Sequence, residues 1–193
     1  MLPSIQKYKI LLASKSPRRS QLLKEAGFDF QVVAKEVKES YPTHLSPEKV
    51  AQFLAQKKAL ASKDVLTDNQ VILAADTIVT KDGIIYGKPK DYEEAVTILN
   101  TLSGNWHEVI TGVCLLSLEK KIIFSSTSKV KIETLSQDEI EFYIANFKPY
   151  DKAGAYAIQE WIGLCKISKI EGTYSNIMGL PVDLVYKNLL LYF

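Results

Sequence analysis

Histidine and cysteine are scarce in this chain, two of each among 193 residues. Cys114 and Cys165 both sit in apolar stretches and read as reduced core thiols, because a disulfide framework or a zinc site needs more ligands than this. His44 and His107 are too few and too far apart for a His-Glu-x-x-His helix, and a lone histidine is more often structural than catalytic. A Gly-x4-Gly-Lys-Ser/Thr phosphate loop, a Gly-x-Gly-x-x-Gly turn and a Gly-x-Ser-x-Gly elbow are also missing. These absences push any chemistry onto carboxylates, lysines, arginines and a bound metal.

The chain also lacks a dominant charge. Lysine and arginine number 24 against 22 acidic residues, a formal charge of +2. Nucleic acid or an acidic membrane surface asks for more than that, so phosphate binding must come from a local cluster. Long apolar runs are missing too. Ile10-Leu11-Leu12-Ala13 is far too short for a signal core or a membrane span, and the expectation is a cytoplasmic protein. An apolar fraction of 47% with 24% charged residues is that of an ordinary globular protein, long enough to bury a core unaided.

What is present alternates strand and helix signals. Ile10–Ala13 reads as a buried strand, followed by a helix over Pro17–Ala26 with Ser16 as cap and Gly27 as stop. Ser46-Pro47-Glu48 opens a helix to about Ala61. Val71–Ala74 is a buried strand, continued by Ile78–Thr80, and Asp82-Gly83 turns it into Ile84-Ile85. Asp91-x-x-Glu94 and Ser136-x-x-Glu139 are capping boxes for helices ending near Leu102 and Asn146. Trp106–Leu118 and Ile122–Ile132 read as long antiparallel strands, Ala153–Ile158 and Leu164–Ile170 as further strands. Pro181 starts a last helix with Leu184, Val185, Leu189 and Leu190 on its apolar face. The pattern predicts an α/β fold with a mixed sheet and no obvious linker.

Four segments carry chemistry. Ser14-Lys15-Ser16-Pro17-Arg18-Arg19 lies where a strand meets a helix N-terminus, and hydroxyls, guanidinium forks and amides there suit a polyphosphate. Asp76, at the end of a buried strand before Thr77, can ligand Mg²⁺ or orient a water. Gly87-Lys88-Pro89 holds a lysine in a constrained loop. Asp151-Lys152-Ala153-Gly154-Ala155-Tyr156 sets charges beside small residues that admit a flat ligand, with Tyr156 as either stacking face or core aromatic.

These segments and their wording resemble the Maf family of nucleoside triphosphate pyrophosphatases. The matching blocks are Leu12-Ala13-Ser14 with Ser16-Pro17-Arg18-Arg19, Ala75-Asp76-Thr77-Ile78-Val79, Gly87-Lys88-Pro89, Leu102-Ser103-Gly104, Thr111-Gly112-Val113, Asp151 to Tyr156, and Gly179-Leu180-Pro181. The resemblance runs from about Ile10 to Leu190 and implies one domain over 1–193. It implies an elongated mixed sheet flanked by helices, two lobes around a central cleft, as in the inosine-triphosphatase-like fold. It implies hydrolysis between the α- and β-phosphates with a divalent cation, Mg²⁺ or Mn²⁺. The family's catalytic aspartate falls on Asp76, its phosphate-binding residues on Ser14, Arg18, Arg19, Lys58 and Lys88, and a second metal-side acid on Glu39. Ala155-Tyr156-Ala157-Ile158-Gln159 looks like the branch acting on thymidine and uridine triphosphates, which sets specificity through Arg19, Thr77 and Gln159. A glutamine amide offers a donor and an acceptor side by side, matching N3–H and O4 of uracil or thymine, and by flipping it matches cytosine as well. The expected partner is therefore dTTP or UTP, without nucleic acid or membrane, and with a homodimer left open. Two alternatives stand beside this reading: a non-catalytic nucleotide sensor in cell-division arrest, and a pyrophosphatase for modified nucleotides. An inosine triphosphate pyrophosphatase finds no support in these blocks.

Overall fold

A computed structural model describes residues 8–193. Among the described residues seven strands form one mixed sheet. They are β1 (Lys9–Leu12), β2 (Phe30–Val32), β3 (Gln70–Lys81), β4 (Ile84–Tyr86), β5 (Trp106–Leu116), β6 (Lys121–Ile132) and β7 (Ile167–Glu171). Their order across the sheet is β2-β1-β3-β5-β6-β7, with β4 paired to β3. The first strand is parallel to both β2 and β3, whereas β3–β4 and β6–β7 are antiparallel. The helices are α1 (Pro17–Glu25), α2 (Pro47–Ala61), α3 (Tyr92–Leu102), α4 (Gln137–Phe147), α5 (Trp161–Cys165), α6 (Tyr174–Met178) and α7 (Val182–Tyr192). The expected α/β class with a mixed, helix-flanked sheet is what forms. No helix among the described residues is long and apolar enough to cross a membrane.

The chain divides into two compact units. The first comprises 8–76, Thr111–Ser126 and Gly179–Phe193, the second Thr77–Ile110 and Thr127–Met178. In the first, Leu11, Ala13, Ala55, Ala59, Ile72, Ala74, Cys114 and Leu116 form a shared core. The helix α2 buries Val50, Ala51, Leu54, Ala55 and Ala59, a stripe at helical spacing that lays small residues against the sheet. That approach is close enough to dictate a glycine. A Cβ on Gly112 of β5 would lie 2.3 Å from the Ala51 carbonyl carbon. Burial among these apolar neighbours raises the Cys114 thiol to about 11, so it is an inert core group.

In the second unit the β3–β4 hairpin turns at Asp82-Gly83, both at positive φ (53° and 77°), as an Asp-Gly two-residue turn requires. Ser136 and Glu139 complete the reciprocal capping box at the start of α4. The Asp91 side chain caps α3, but Glu94 reaches one residue further back, to the Lys90 N–H.

Several expectations are corrected. Ser16 occupies the cap position of α1 without a side-chain bond to it. The strand β3 does not stop before Asp76 but runs unbroken through Asp76-Thr77. The segment 153–158 is not a strand, because Gly154 and Ala155 both take positive φ (71° and 58°) and fold it into a buried turn. A short helix, α5, precedes β7, so Leu164 is an exposed helix residue rather than the start of a strand. Cys165 is exposed at the end of that helix, not a core thiol. On α7 the buried face is Val185 and Leu189, whereas Leu190 is exposed. The short β2 went unforeseen.

Candidate active site

The first unit holds six of the expected site residues, Arg18 among them. Ser14 lies just after β1, Arg19 on the first turns of α1, Lys58 near the end of α2, Asp76 within β3, and Glu39 in the segment before α2. Asp76 is only 7% exposed, on a strand buried nearly throughout its length. Its Oδ1 accepts from Lys58 Nζ, and the same Nζ donates to Glu39 Oε1 at 2.7 Å. One ammonium thus sits within bonding reach of two carboxylates. Two of its three N–H bonds are used there, and among the described residues the third has no partner.

Arg19 is buried and held from behind. Its Nε donates to the Gly179 carbonyl at 2.8 Å and its Nη1 to Ser14 Oγ at 3.1 Å. Ser14 Oγ also accepts from the Ser16 N–H at 3.2 Å, so the hydroxyl serves the arginine and the loop, not the helix cap. Burial pulls the Arg19 guanidinium down from its ordinary pKa, and the nearby Asp76 charge opposes that pull. A guanidinium nevertheless stays protonated at neutral pH. Arg18 is its half-buried neighbour on α1.

Burial acts on Asp76 in the opposite sense. Loss of solvent raises its carboxyl above the ordinary value of 3.8, and Lys58 and Arg19 only partly offset the rise. The outcome is a shielded carboxyl of raised proton affinity, faced by two fixed cations. Such a group can accept a proton from water or ligand a cation.

The remaining expected residues belong to the second unit. Thr77 is half-buried and follows Asp76 in β3, and Lys88 is exposed in its loop. That loop is tied to the turn at 153–155 by the Gly154 N–H donating to the Gly87 carbonyl at 3.1 Å. A Cβ on Gly154 would lie 2.8 Å from the Val79 side chain, so glycine is needed for space as well as for φ. Gln159 occupies a turn, and its Oε1 is buried with no hydrogen-bond partner among the described residues. A buried acceptor left unpaired is costly unless a ligand supplies the donor. Tyr156 is not a stacking face. It is buried, with its hydroxyl 2.7 Å from His107 Nε2 and the two rings edge to face. Burial lowers His107 to about 4, making it a neutral structural histidine.

Sequence reasoning missed three participants. The Gly179 carbonyl anchors Arg19, and its only signal was the Gly179-Leu180-Pro181 wording. Tyr143 and Glu160, beside Gln159, gave none: one lies on a helix read as ordinary and the other just past the end of a recognised block.

Compared with known proteins, residues 9–191 match the family described as Maf, Maf-like protein. A dTTP/UTP pyrophosphatase of Porphyromonas gingivalis (strain ATCC 33277) is 47% identical over 192 residues, 98% of this chain and 96% of its own. One from Parabacteroides distasonis is 45% identical over 98% of both chains, and one from Flavobacterium johnsoniae 44% over 96% and 95%. The solved Ham1 protein of Staphylococcus aureus is a distant likeness, 19% identical with a TM-score of 0.45 over 64% of this chain and 71% of its own.

Proposed function

Because this chain belongs to the Maf family, we infer that it hydrolyses dTTP and UTP to the nucleoside monophosphate and pyrophosphate. The observation that carries the chemistry is Asp76: a buried carboxylate of raised proton affinity, bonded to Lys58 and held near the Arg19 charge. A triphosphate brings about four negative charges, and attack at the α-phosphorus throws more onto the bridging oxygen. Fixed cations in a shielded place stabilise that developing charge without reorganising, which is usually the largest catalytic contribution.

In this reading Asp76 takes the proton from the attacking water. Arg19 keeps its orientation through Gly179 and Ser14, so its charge is already placed when the substrate arrives. Lys58 has a third donor for a phosphate oxygen. Arg18 and Lys88 add charge for the polyphosphate. Thr77 and Gln159 act on the base, the unpaired Oε1 accepting from N3–H of uracil or thymine.

The residues fit a divalent cation. Among the described residues no three His, Cys, Asp or Glu side chains gather into a cage. Asp76 and Glu39 do converge on one point, marked by the Lys58 ammonium, with hard oxygen donors. Mg²⁺ is commonly held by one or two carboxylates plus substrate phosphates and water, so Asp76 and Glu39 would hold it here. When bound, the ion supplies charge neutralisation on the phosphate oxygens and a more acidic water.

Hydrolysis in ¹⁸O-water tests the cleavage site. Label recovered in the monophosphate is expected. Label in the pyrophosphate, or release of orthophosphate, contradicts attack at the α-phosphorus.

A further inference from the structure

Gln159 is held by a device of its own within the second unit. The Glu160 N–H donates to the Ala157 carbonyl at 3.2 Å, closing a turn with Ile158 and Gln159 at its corner. Both feet of that turn meet one hydroxyl. Tyr143 Oη accepts the Ala157 N–H at 3.1 Å and donates to Glu160 Oε2 at 2.5 Å. Tyr143 is fully buried on α4, and its ring stacks on Phe147 at 5.0 Å, so the hydroxyl has a fixed position.

Glu160 is held from its other side as well. Lys152 Nζ lies 3.3 Å from Glu160 Oε1 and donates to the Phe147 carbonyl at 3.2 Å and to Asp151 Oδ1 at 3.0 Å. Three oxygens thus surround the ammonium, Phe147 O and Asp151 Oδ1 as hydrogen-bond acceptors and Glu160 Oε1 as its ion-pair partner. The backbone of α5 presses on the turn from a third direction: a Cβ on Gly163 would fall 1.7 Å from the Ile158 carbonyl oxygen. A turn clamped at both feet and packed at its corner presents Gln159 with little freedom, and this effort surrounds the one residue there whose buried amide oxygen has no partner.

We propose that Tyr143 is a positioning residue for base choice: its hydroxyl, bridging Ala157 and Glu160, fixes the turn that presents Gln159 to the uracil or thymine edge. The proposal rests on Gln159 reading the base. Tyr143 touches no substrate in it. A hydrogen bond to a base edge tolerates only a few tenths of an ångström of error, so loosening the turn weakens pairing and leaves the phosphate chemistry in the other unit alone.

The test uses the full-length enzyme and four variants, Tyr143→Phe, Gln159→Ala, their double mutant, and Glu160→Gln, with kcat and KM for UTP, dTTP and ATP at one metal concentration and a thermal melt of each. Tyr143→Phe is expected to raise KM for UTP and dTTP and to lower their preference over ATP about tenfold. In the Gln159→Ala background the same change is expected to lower that preference no further, because the residue acts through Gln159. A folded Tyr143→Phe enzyme that keeps the preference, loses all three substrates equally, or adds its full effect to Gln159→Ala overturns the proposal. If Tyr143→Phe does not fold, Glu160→Gln decides. It keeps an acceptor for the Tyr143 hydroxyl and weakens the Lys152 tie, so about a threefold loss of preference supports the proposal and an unchanged preference overturns it. Should Gln159→Ala alone leave the preference intact, the base-reading role itself falls, a result separable from failure at Tyr143.

Discussion

Lys58 and Lys152 each stand between two carboxylates, Asp76 and Glu39 in one unit, Glu160 and Asp151 in the other. The resemblance ends at what else surrounds them. Lys152 has three oxygens around its ammonium, with Asp151 and the Phe147 carbonyl accepting hydrogen bonds and Glu160 an ion pair at 3.3 Å, and Glu160 also accepts from the Tyr143 hydroxyl. That network fixes a turn. Lys58 keeps a donor in reserve, and its partner Asp76 is buried deeply enough for desolvation to outweigh two nearby cations. A lysine shared by two acids is therefore no mark of catalysis by itself. On the proposed function, what sets the Lys58 site apart is a deeply buried carboxyl and an ammonium with only two oxygens around it among the described residues, against three around Lys152.

The largest expected break in this contrast is at Asp76. Asp76→Asn keeps the shape and removes the base, and is expected to cut kcat by three or more orders of magnitude with the fold retained, as circular dichroism and a melt will show. A rate near wild type at saturating metal removes Asp76 from the chemistry.

Next comes a pH effect in the second unit, on stability alone. His107 is neutral when folded, at about 4, against 6.5 in the unfolded chain. Between those values the unfolded state binds the extra proton, so stability is full above pH 6.5 and falls as the pH drops toward 4. The loss reaches at most ~3 kcal/mol. Urea unfolding at pH 7 and pH 4.5 measures it, and a His107→Gln variant should lose less stability over that interval. An identical loss in the variant assigns the effect to other groups.

The smallest effect concerns half-buried Arg18 and exposed Lys88. Arg18→Ala and Lys88→Ala are expected to leave folding within ~0.5 kcal/mol of wild type. Their kcat/KM for triphosphate should fall about tenfold or more, by loss of charge on the phosphates. Unchanged kcat/KM in both variants makes them ordinary solvated residues.

Much of the fold is legible in the chain because its punctuation is local. Ser46-Pro47, Asp82-Gly83 and Ser136-x-x-Glu139 mark element boundaries with side chains that act within three residues. The misreading of 153–158 has the opposite cause. Ala-Gly-Ala-Tyr-Ala-Ile carries a strand's composition, but the space beside Val79 and the positive φ at Ala155 are set by tertiary packing. β2 escaped notice because three residues, two of them exposed, are too few for a period, and only pairing with β1 makes them a strand. The site divides in the same way. Ser14, Arg19 and Asp76 announce themselves by motif, whereas the meeting of Lys58 with Glu39 and Asp76 joins residues 19 and 18 positions apart, beyond any local rule. The Tyr143 bridge was invisible for the same reason, spanning 14 and 17 positions.

On the proposed function the Asp76 cluster reacts and Gln159 chooses the base, and one measurement tests that division directly: kcat/KM for dTTP, UTP, CTP, GTP and ATP, on wild type and Gln159→Ala under one metal condition. Wild type is expected to favour dTTP and UTP and to use ATP poorly. Gln159→Ala is expected to lose dTTP and UTP turnover by tens-fold, the equivalent of ~2 kcal/mol for an unpaired base edge, with ATP nearly unchanged. A wild type that prefers purines, or a variant that loses every substrate equally, contradicts the division of labour.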